Sequence, residues 1–394
     1  MKRTYKFRIY PNKEQAAILD RQLELCKDLY NVALDQRRNA WRYCQECISY
    51  TSQANELSTI KAVHPEFKEV HSQVLQDVLR RLDKAFKAFF RRVKERKKGK
   101  RVKFGYPRFR SLRGFRSLTY PQSGFKILDN GHIQVSKIGT IRMFRHRPIK
   151  GTVKTMTLKK DMVGDWFATF TVACPDVPVK ETSDPVTVGI DVGLEKLVTM
   201  SNGDMIEPPM FLRRSEEKLR IVQRRLSRKV KGSRNRKKAR NKVARVQRKI
   251  SRQRDDFLHK VARGLVVRMD IIAFEDLRIS NMVKDRRLSK SIMDASWGRL
   301  VQYTVYKAES AGKQVVLVDP RGTSQECSRC GAKVDKSLSE RVHRCPTCGL
   351  RLDRDLNASL NILKRLHTGS VELYNNASGF QTSIALCEES GKCG

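Results

Sequence analysis

Apolar residues alternate with cations over the first ten positions. Tyr5, Phe7 and Ile9 take one side and Lys6 and Arg8 the other, the period of a half-buried strand that Pro11 and Asn12 end. The period then lengthens. Ile18, Leu25 and Leu29, and later Val74, Leu75, Val78, Leu82, Phe86, Phe89 and Phe90, recur at helical spacing among Lys and Arg. Residues 13–97 are therefore expected to be helices with core-facing stripes. From Gly124 to Cys174, short alternating stretches (FKIL, HIQV, TIRMF, WFATFTVAC) joined by turn residues predict a small β-barrel or curled sheet.

The segment VKETSDP, residues 179–185, reads as a linker, and the pattern changes after it. A strand ending at Asp191, a second at LVTM, a SNGD turn and then MIEPPM predict a β-meander. Residues 213–268 predict two long helices broken near Lys231, Gly232 and Ser233, with Val243, Val246, Ile250, Phe257 and Val261 as a packing spine. A buried-type strand, MDIIAFEDL at 269–277, is followed by a helix from near Ser296 to Ala311, the strand QVVLVD ending at Asp319, and a helix beginning near Asp355. Strands joined through helices favour parallel pairing, so this part is a meander extended by parallel strands and the whole a mixed α/β protein.

Charge narrows the class. Eighty-two Lys and Arg against 41 Asp and Glu give a formal net charge of +41, which makes a compact chain repel itself unless a polyanion neutralises it. Nucleic acid is the first candidate. A membrane surface is the second, yet no apolar run approaches the roughly 18–20 residues that span a bilayer, and MKRTYKFRIYPNKEQ lacks a signal-type apolar core. The expectation is a soluble cytoplasmic, nucleoid-associated protein. From Lys218 through Arg254, 18 of 37 residues are Lys or Arg and none is acidic, so the helices gain no ion pairs of their own and suit a phosphate track. Arg224, Arg225, Arg228, Lys237, Lys238 and Arg240 are its candidate contacts. In KGKRVKFGYPRFRSLRGFRS, residues 98–117, cations interleave with Phe104, Tyr106, Phe109 and Phe115. That interleaving is read as phosphate contact plus base stacking, with Lys103, Tyr106, Arg108 and Arg110 as candidates, the alternative being a loop pinned by aromatics.

Four of the ten cysteines, Cys327, Cys330, Cys345 and Cys348, form C-x2-C, 14 intervening residues and C-x2-C, each pair followed by glycine. That knuckle spacing aims four thiolates at one structural zinc ion with no open position. His343 is surplus to the set, and Cys44 and Cys47 read as helix cysteines one turn apart. Asp191 and Glu275 end strands, and Asp355 starts the last helix in DRDLNASLNI. Carboxylates so placed can converge at one sheet edge and hold Mg2+ through oxygen ligands, where one or two ions activate water for phosphodiester hydrolysis. From the pattern alone such acids are equally read as solvated strand ends or helix caps.

GIDVG at 189–193, RQRDDFLHK at 252–260, FEDL at 274–277, SIMDASW at 291–297, TSQECSRCG at 323–331 and DRDLNASLNI at 353–362, with the opening YKFRIYPNKEQ and GYPRF at 105–109, carry a resemblance. Together they resemble the TnpB family, transposon-encoded relatives of the type V CRISPR nucleases, over residues 1 to about 366. The resemblance implies a RuvC-like, RNase H-type nuclease domain over 183–319 and 353–366. By the same resemblance that domain would cleave double-stranded DNA under the direction of a guide RNA from the transposon end. It also implies a wedge β-barrel split over 1–12 and 98–182 by a helical recognition insert at 13–97, a basic helical insert at 213–268 and a zinc ribbon at 320–352. The family's three catalytic acids fall on Asp191, Glu275 and Asp355, with Asp353 in reserve and Asp276 and Asp319 as structural neighbours. Base pairing would read sequence while the protein reads a short flanking motif and the heteroduplex shape. Residues 367–394, with Cys387 and Cys393 and no periodic pattern, are expected to be disordered. A guided DNA-binding repressor that has lost cutting, and a transposase on the same acidic fold, are the alternatives.

Overall fold

A computed structural model of the chain describes residues 1–180, 182–337, 340–367 and 372–373. The chain divides into two compact units, one on Met1–Asp176 and one beginning at Val177. In the first, strand β1 (Lys2–Tyr10) leads into helix α1 (Lys13–Asn39) through a capping box: Asn12 Oδ1 accepts from the Gln15 amide at 2.7 Å, and Gln15 Oε1 accepts from the Asn12 amide at 3.1 Å. A π-turn at Ala40–Cys44, short helices α2 (Tyr50–Asn55) and α3 (Leu57–Val63), and the long α4 (Ser72–Lys97) follow. Val74, Leu75, Val78 and Leu82 are buried in the core that α1 and α4 share. The stripes are narrower than the periodicity implied, because Ile18 and Phe90 are 38% and 48% exposed. Cys44 and Cys47 are both exposed, and Cys47 lies past the helical segment, which Gln45 ends at φ 56°.

Strands β2 (Ser117–Tyr120), β3 (Phe125–Ile127), β4 (His132–Val135), β5 (Gly139–Phe144), β6 (Thr152–Lys160) and β7 (Trp166–Ala173) join β1 in one antiparallel sheet of order β2-β6-β7-β1-β5-β4-β3. Tyr5, Phe7 and Ile9 of β1 point into the core, as alternation requires. Among the described residues β2 and β3 are not hydrogen-bonded to each other, so the sheet is curled and nearly closed rather than a sealed barrel. The rings of Tyr120 on β2 and Phe125 on β3 meet across that seam, 6.5 Å apart.

The second unit holds β8 (Thr187–Asp191), β9 (Val198–Met200), β10 (Met205–Ile206), helices α5 (Phe211–Ser227) and α6 (Arg234–Arg268), β11 (Ile271–Glu275), α7 (Ile279–Met282), α8 (Ser289–Ala295), α9 (Trp297–Ala311), β12 (Gln314–Val318), β13 (Val342–Arg344), β14 (Arg351–Asp353), α10 (Arg354–His367) and β15 (Glu372–Leu373). The main sheet has the order β10-β9-β8-β11-β12-β15, with β8, β11 and β12 parallel and the meander antiparallel to β8. β8 and β11 are apolar and buried over their three middle residues, as strands covered on both faces are. Residues 372–373 add an antiparallel edge strand to β12 where no order was expected; the rest of the expected tail lies outside the described residues.

Gly189 explains how α10 reaches the sheet. A Cβ there would lie 2.2 Å from the Ser359 carbonyl oxygen and 2.5 Å from the Leu363 amide, so the helix backbone rests directly on β8. The α5–α6 hairpin turns at residues 228–233, where Arg236 Nη1 donates to the carbonyls of Leu226 and Lys229. Val243, Ile250, Leu258 and Leu265 are buried along α6, which packs on α9. Arg254 of α6 donates to Asp294 at 2.8 Å, and Asp255 accepts from Arg299 at 2.7 Å and from Tyr303 at 3.1 Å. Among the described residues no helix is long and apolar enough to cross a membrane.

Gly189→Ala forces a Cβ into the α10 backbone, and overpacking of this kind costs about 1–3 kcal/mol. Thermal unfolding of the variant should show a lower midpoint, whereas an unchanged midpoint would mean that α10 does not rest on β8.

Candidate active site and cysteine cluster

The parallel register sets Phe274 opposite Ile190, so the next residues, Glu275 and Asp191, leave adjacent strands at the same edge of the sheet. Asp355 is placed beside them by the helix it begins. Asp353 accepts from the Asp355 and Leu356 amides at 3.0 and 3.2 Å, which caps α10, and receives Lys196 Nζ at 2.8 Å. A Cβ on Gly193 would come within 4.0 Å of Asp355 Oδ2, and the Gly193 carbonyl is held by Trp297 Nε1 at 3.1 Å. The loop after β8 is thereby drawn against the start of α10.

Electrostatics follow from that crowding. Burial, then the neighbouring Glu275 and Asp355 carboxylates, push Asp191 from an ordinary 3.8 up to about 8, against the lowering pull of Arg354 and the Val192 amide. Burial also raises Glu275, opposed by the Thr323 hydroxyl at 2.6 Å and by Arg365. Asp355 is 8% exposed, with Arg354 Nε 3.4 Å from Oδ1. The oxygens of Asp191, Glu275 and Asp355 do not all lie within 4.8 Å of one another, so the trio is more open than a closed metal cluster; carboxylate oxygens are nevertheless the ligands that a hard divalent cation takes. Asp353 is committed to its cap and to Lys196; Asp276 is exposed, and Asp319 is exposed and paired with Arg321 at 2.7 Å.

Cys327, Cys330, Cys345 and Cys348 bring their sulfur atoms within 4.8 Å of one another. Two of the separations are 3.6 and 3.5 Å, close to the edge of about 3.8 Å that a tetrahedron of ~2.3 Å zinc–sulfur bonds has. The Cys348 amide, the chief of several donors, lowers the Cys345 thiol to about 6, so a thiolate is available at neutral pH. The cluster could therefore hold a zinc ion. His343, fully buried on β13, turns Nδ1 to Lys336 and is not part of the set.

The candidate nucleic-acid contacts lie in two places. Lys103, Tyr106, Arg108 and Arg110 are exposed in the first unit, and Tyr106 stands edge-on to Phe86 and Phe89. Phe115 does not join them; it is buried against Tyr30, with Arg81 over its ring, so interleaving there signals core. Arg224, Arg225, Arg228, Lys237 and Lys238 are exposed on the hairpin, and Arg240 is half-buried.

Sequence-family profiles match the OrfB_IS605 family, described as "Probable transposase", over residues 170–286, a "Cas12f1-like, TNB domain" over 297–362 and a "Helix-turn-helix domain" over 1–45. Among curated proteins the chain is 38% identical over 371 residues to a "Putative RNA-guided DNA endonuclease" of Streptomyces pristinaespiralis, covering 92% of this chain and 89% of that one. It belongs to the TnpB family. It is also 31% identical over 382 residues to "Putative RNA-guided DNA endonuclease InsQ" of Escherichia coli K12, covering 92% of each. A looser likeness, TM-score 0.47 at 9% identity over 95% of this chain and 93% of the other, is to the mini-RNA-guided endonuclease CRISPR-Cas_phi3. The stretch matched as helix-turn-helix is here a strand followed by one long helix and a π-turn.

Three groups around the TnpB motifs escaped sequence reasoning. Asn357 and Asn361, one turn apart on the buried face of α10, hold the loop before the cysteines: Asn357 Nδ2 donates to the Glu326 carbonyl at 2.8 Å and Oδ1 accepts from the Ser328 amide at 2.9 Å. Asn361 Nδ2 donates to the carbonyls of Thr323 and Glu326 at 2.8 and 2.7 Å. Two Asn beside Ala358 and Ile362 were the available signal. The third group, Thr323, left no signal of its own.

In buffer free of divalent ions, folded Asp191 keeps its proton up to about pH 8, whereas the unfolded chain releases it near 3.8. The folded state binds the extra proton, so this carboxyl's contribution to stability is full below the unfolded value and is lost as pH rises through about 8. Asp191→Asn carries no such proton. The unfolding midpoint of Asp191→Asn minus that of wild type should grow as pH is raised from about 5 to about 8; a difference independent of pH would contradict the burial of Asp191 among like charges.

Proposed function

We propose that this protein is an RNA-guided DNA endonuclease of a transposable element, hydrolysing phosphodiester bonds of target double-stranded DNA with Mg2+ held by Asp191, Glu275 and Asp355. The observation that carries the reading is the 38% identity, over 92% of the chain, to a protein named a putative RNA-guided DNA endonuclease; beside it stands a chain of net charge +41 in which Asp191 and Glu275 end adjacent parallel strands near the buried Asp355, where crowding raises Asp191. Carboxylates crowded at that cost, in a protein otherwise short of acid, fit a cation site facing a polyanion.

One or two Mg2+ ions, when bound, would lower the pKa of a water and stabilise the attacking and leaving oxygens of an in-line displacement. The chain's own residues do the rest. Glu275 accepts from the Thr323 hydroxyl, Asp355 lies in the capped first turn of α10, and Asp191 is the last residue of a strand buried through its middle. Arg354 sits beside Asp355, where a cation limits the repulsion among the acids. The exposed cations of the α5–α6 hairpin track the phosphate backbone of the guide–target duplex, a sequence-independent and salt-sensitive contact. Lys103, Tyr106, Arg108 and Arg110 contact nucleic acid from the first unit, where an exposed aromatic adds stacking. On this reading residues 1–12 and 98–182 form the wedge, 13–97 the recognition insert, 183–319 and 353–366 the nuclease domain, and 320–352 a zinc ribbon. The partners are a transposon-end guide RNA and duplex DNA. Because one matching profile is described as "Probable transposase", joined DNA products are the second reading to be tested.

The test is to purify the protein from cells expressing its own locus, sequence the bound RNA, and offer linear duplexes matching that RNA's 3′ segment with Mg2+. Cleavage should require the match and leave free ends. Asp191→Ala should cut on the order of a thousandfold more slowly or worse, several kcal/mol of transition-state stabilisation. Matched binding without cutting would favour a guided repressor, covalently joined products a transposase, and absence of any discrete RNA would overturn guidance altogether.

A further inference from the structure

We propose that Thr323 is a positioning residue through which the cysteine ribbon orients the Glu275 carboxylate; this rests on the reading of Glu275 as a metal ligand. Thr323 is 3% exposed, and its Oγ1 lies 2.6 Å from Glu275 Oε1 and 3.1 Å from the Pro320 carbonyl. A hydroxyl has one proton, and the shorter contact to the charged acceptor takes it. Glu275 Oε1 is thereby turned toward Thr323, and Oε2 is left for other partners.

What makes this a coupling rather than a local contact is how Thr323 is held. Its own carbonyl accepts from Asn361 at 2.8 Å, and three residues on, Glu326 accepts from Asn361 at 2.7 Å and Asn357 at 2.8 Å through its carbonyl, and from Arg365 at 2.8 Å through its carboxylate. The Ser328 amide, next to Cys327, donates to Asn357. All of these helical partners lie on α10, the helix that begins with Asp355. The knuckle around Cys327 is closed by its amide to Ala332 and by the Gly331 amide back to it. The loop 322–328 is therefore fixed at one end by the cysteine cluster and along its length by α10, and presents a single hydroxyl to Glu275. Two acids on different elements are brought into fixed relation by one loop, and the folded ribbon becomes a condition for the geometry of the site.

Outer hydrogen bonds to a metal-ligating carboxylate are worth about 10- to 100-fold in metal affinity or activity when removed. Thr323→Val keeps the shape and deletes the hydroxyl; Thr323→Ser keeps the hydroxyl. In complexes of protein, co-purified RNA and matched DNA, Mn2+ binding is measured by electron paramagnetic resonance, and Mg2+ dependence by cleavage. Thr323→Val should raise the half-saturating concentration of both ions by about 10-fold or more, with DNA binding and zinc content unchanged, and Thr323→Ser should restore it to within about threefold. Wild-type Mn2+ binding in Thr323→Val, or equal impairment in the Val and Ser variants, would overturn the proposal. Glu275→Gln run alongside separates the two readings: if it binds Mn2+ and cuts like wild type, the metal-ligand reading of Glu275 is what has failed.

Discussion

Crowding like charges at one edge of a sheet is costly, and the elements around the acids hold them there against it. A parallel pair of strands, apolar through their middles, ends in Asp191 and Glu275 at one edge, and the amino end of α10 adds Asp355. Desolvation, with the Glu275 and Asp355 carboxylates close by, is why Asp191 holds its proton to about 8. The arrangement stands because neighbouring elements leave the acids little freedom: α10 lies on Gly189, Lys196 ties Asp353, and Trp297 fixes the loop after β8. Removing a proton from this edge favours a divalent cation in its place.

The same economy of acid runs through the rest of the chain. Of the few acids near the basic hairpin, Asp255 and Asp294 are taken up by Arg299 and Arg254, which clamp α6 to α9 and to the end of α8. Arg220 of α5 pairs with Glu217, but from Lys218 through Arg254 the sequence holds no acid, so the repulsion of this stretch is offset in part by the buried spine on one face of α6.

Much of this was legible in the sequence, and for local reasons. Strand period, the break of the hairpin, the meander and the spacing of four cysteines are properties of neighbouring residues, and the described elements follow them closely. A lone acid at the end of an apolar strand marks a position but not its company; that depends on register, which placed Ile190 against Phe274. Phe115 misled because an aromatic between cations gives one pattern for a stacking surface and for a core anchor. Cys47 misled because helical periodicity does not reveal where the π-turn at Ala40–Cys44 unwinds into Gln45. Thr323, Asn357 and Asn361 were out of reach for a different reason: the two Asn side chains meet backbone atoms 29 to 38 residues distant, which carry no sequence signature, and the Thr323 hydroxyl meets a carboxylate 48 residues away.

The most direct test is to locate the ion. A complex of the protein with its co-purified RNA and matched duplex, prepared with Mn2+ in place of Mg2+ and Asp191, Glu275 and Asp355 intact, would be imaged with anomalous scattering at the manganese edge. One or two peaks about 2.0–2.3 Å from carboxylate oxygens of all three residues are predicted. Cleavage of the duplex with no manganese among these acids would contradict the metal site on which the mechanism stands.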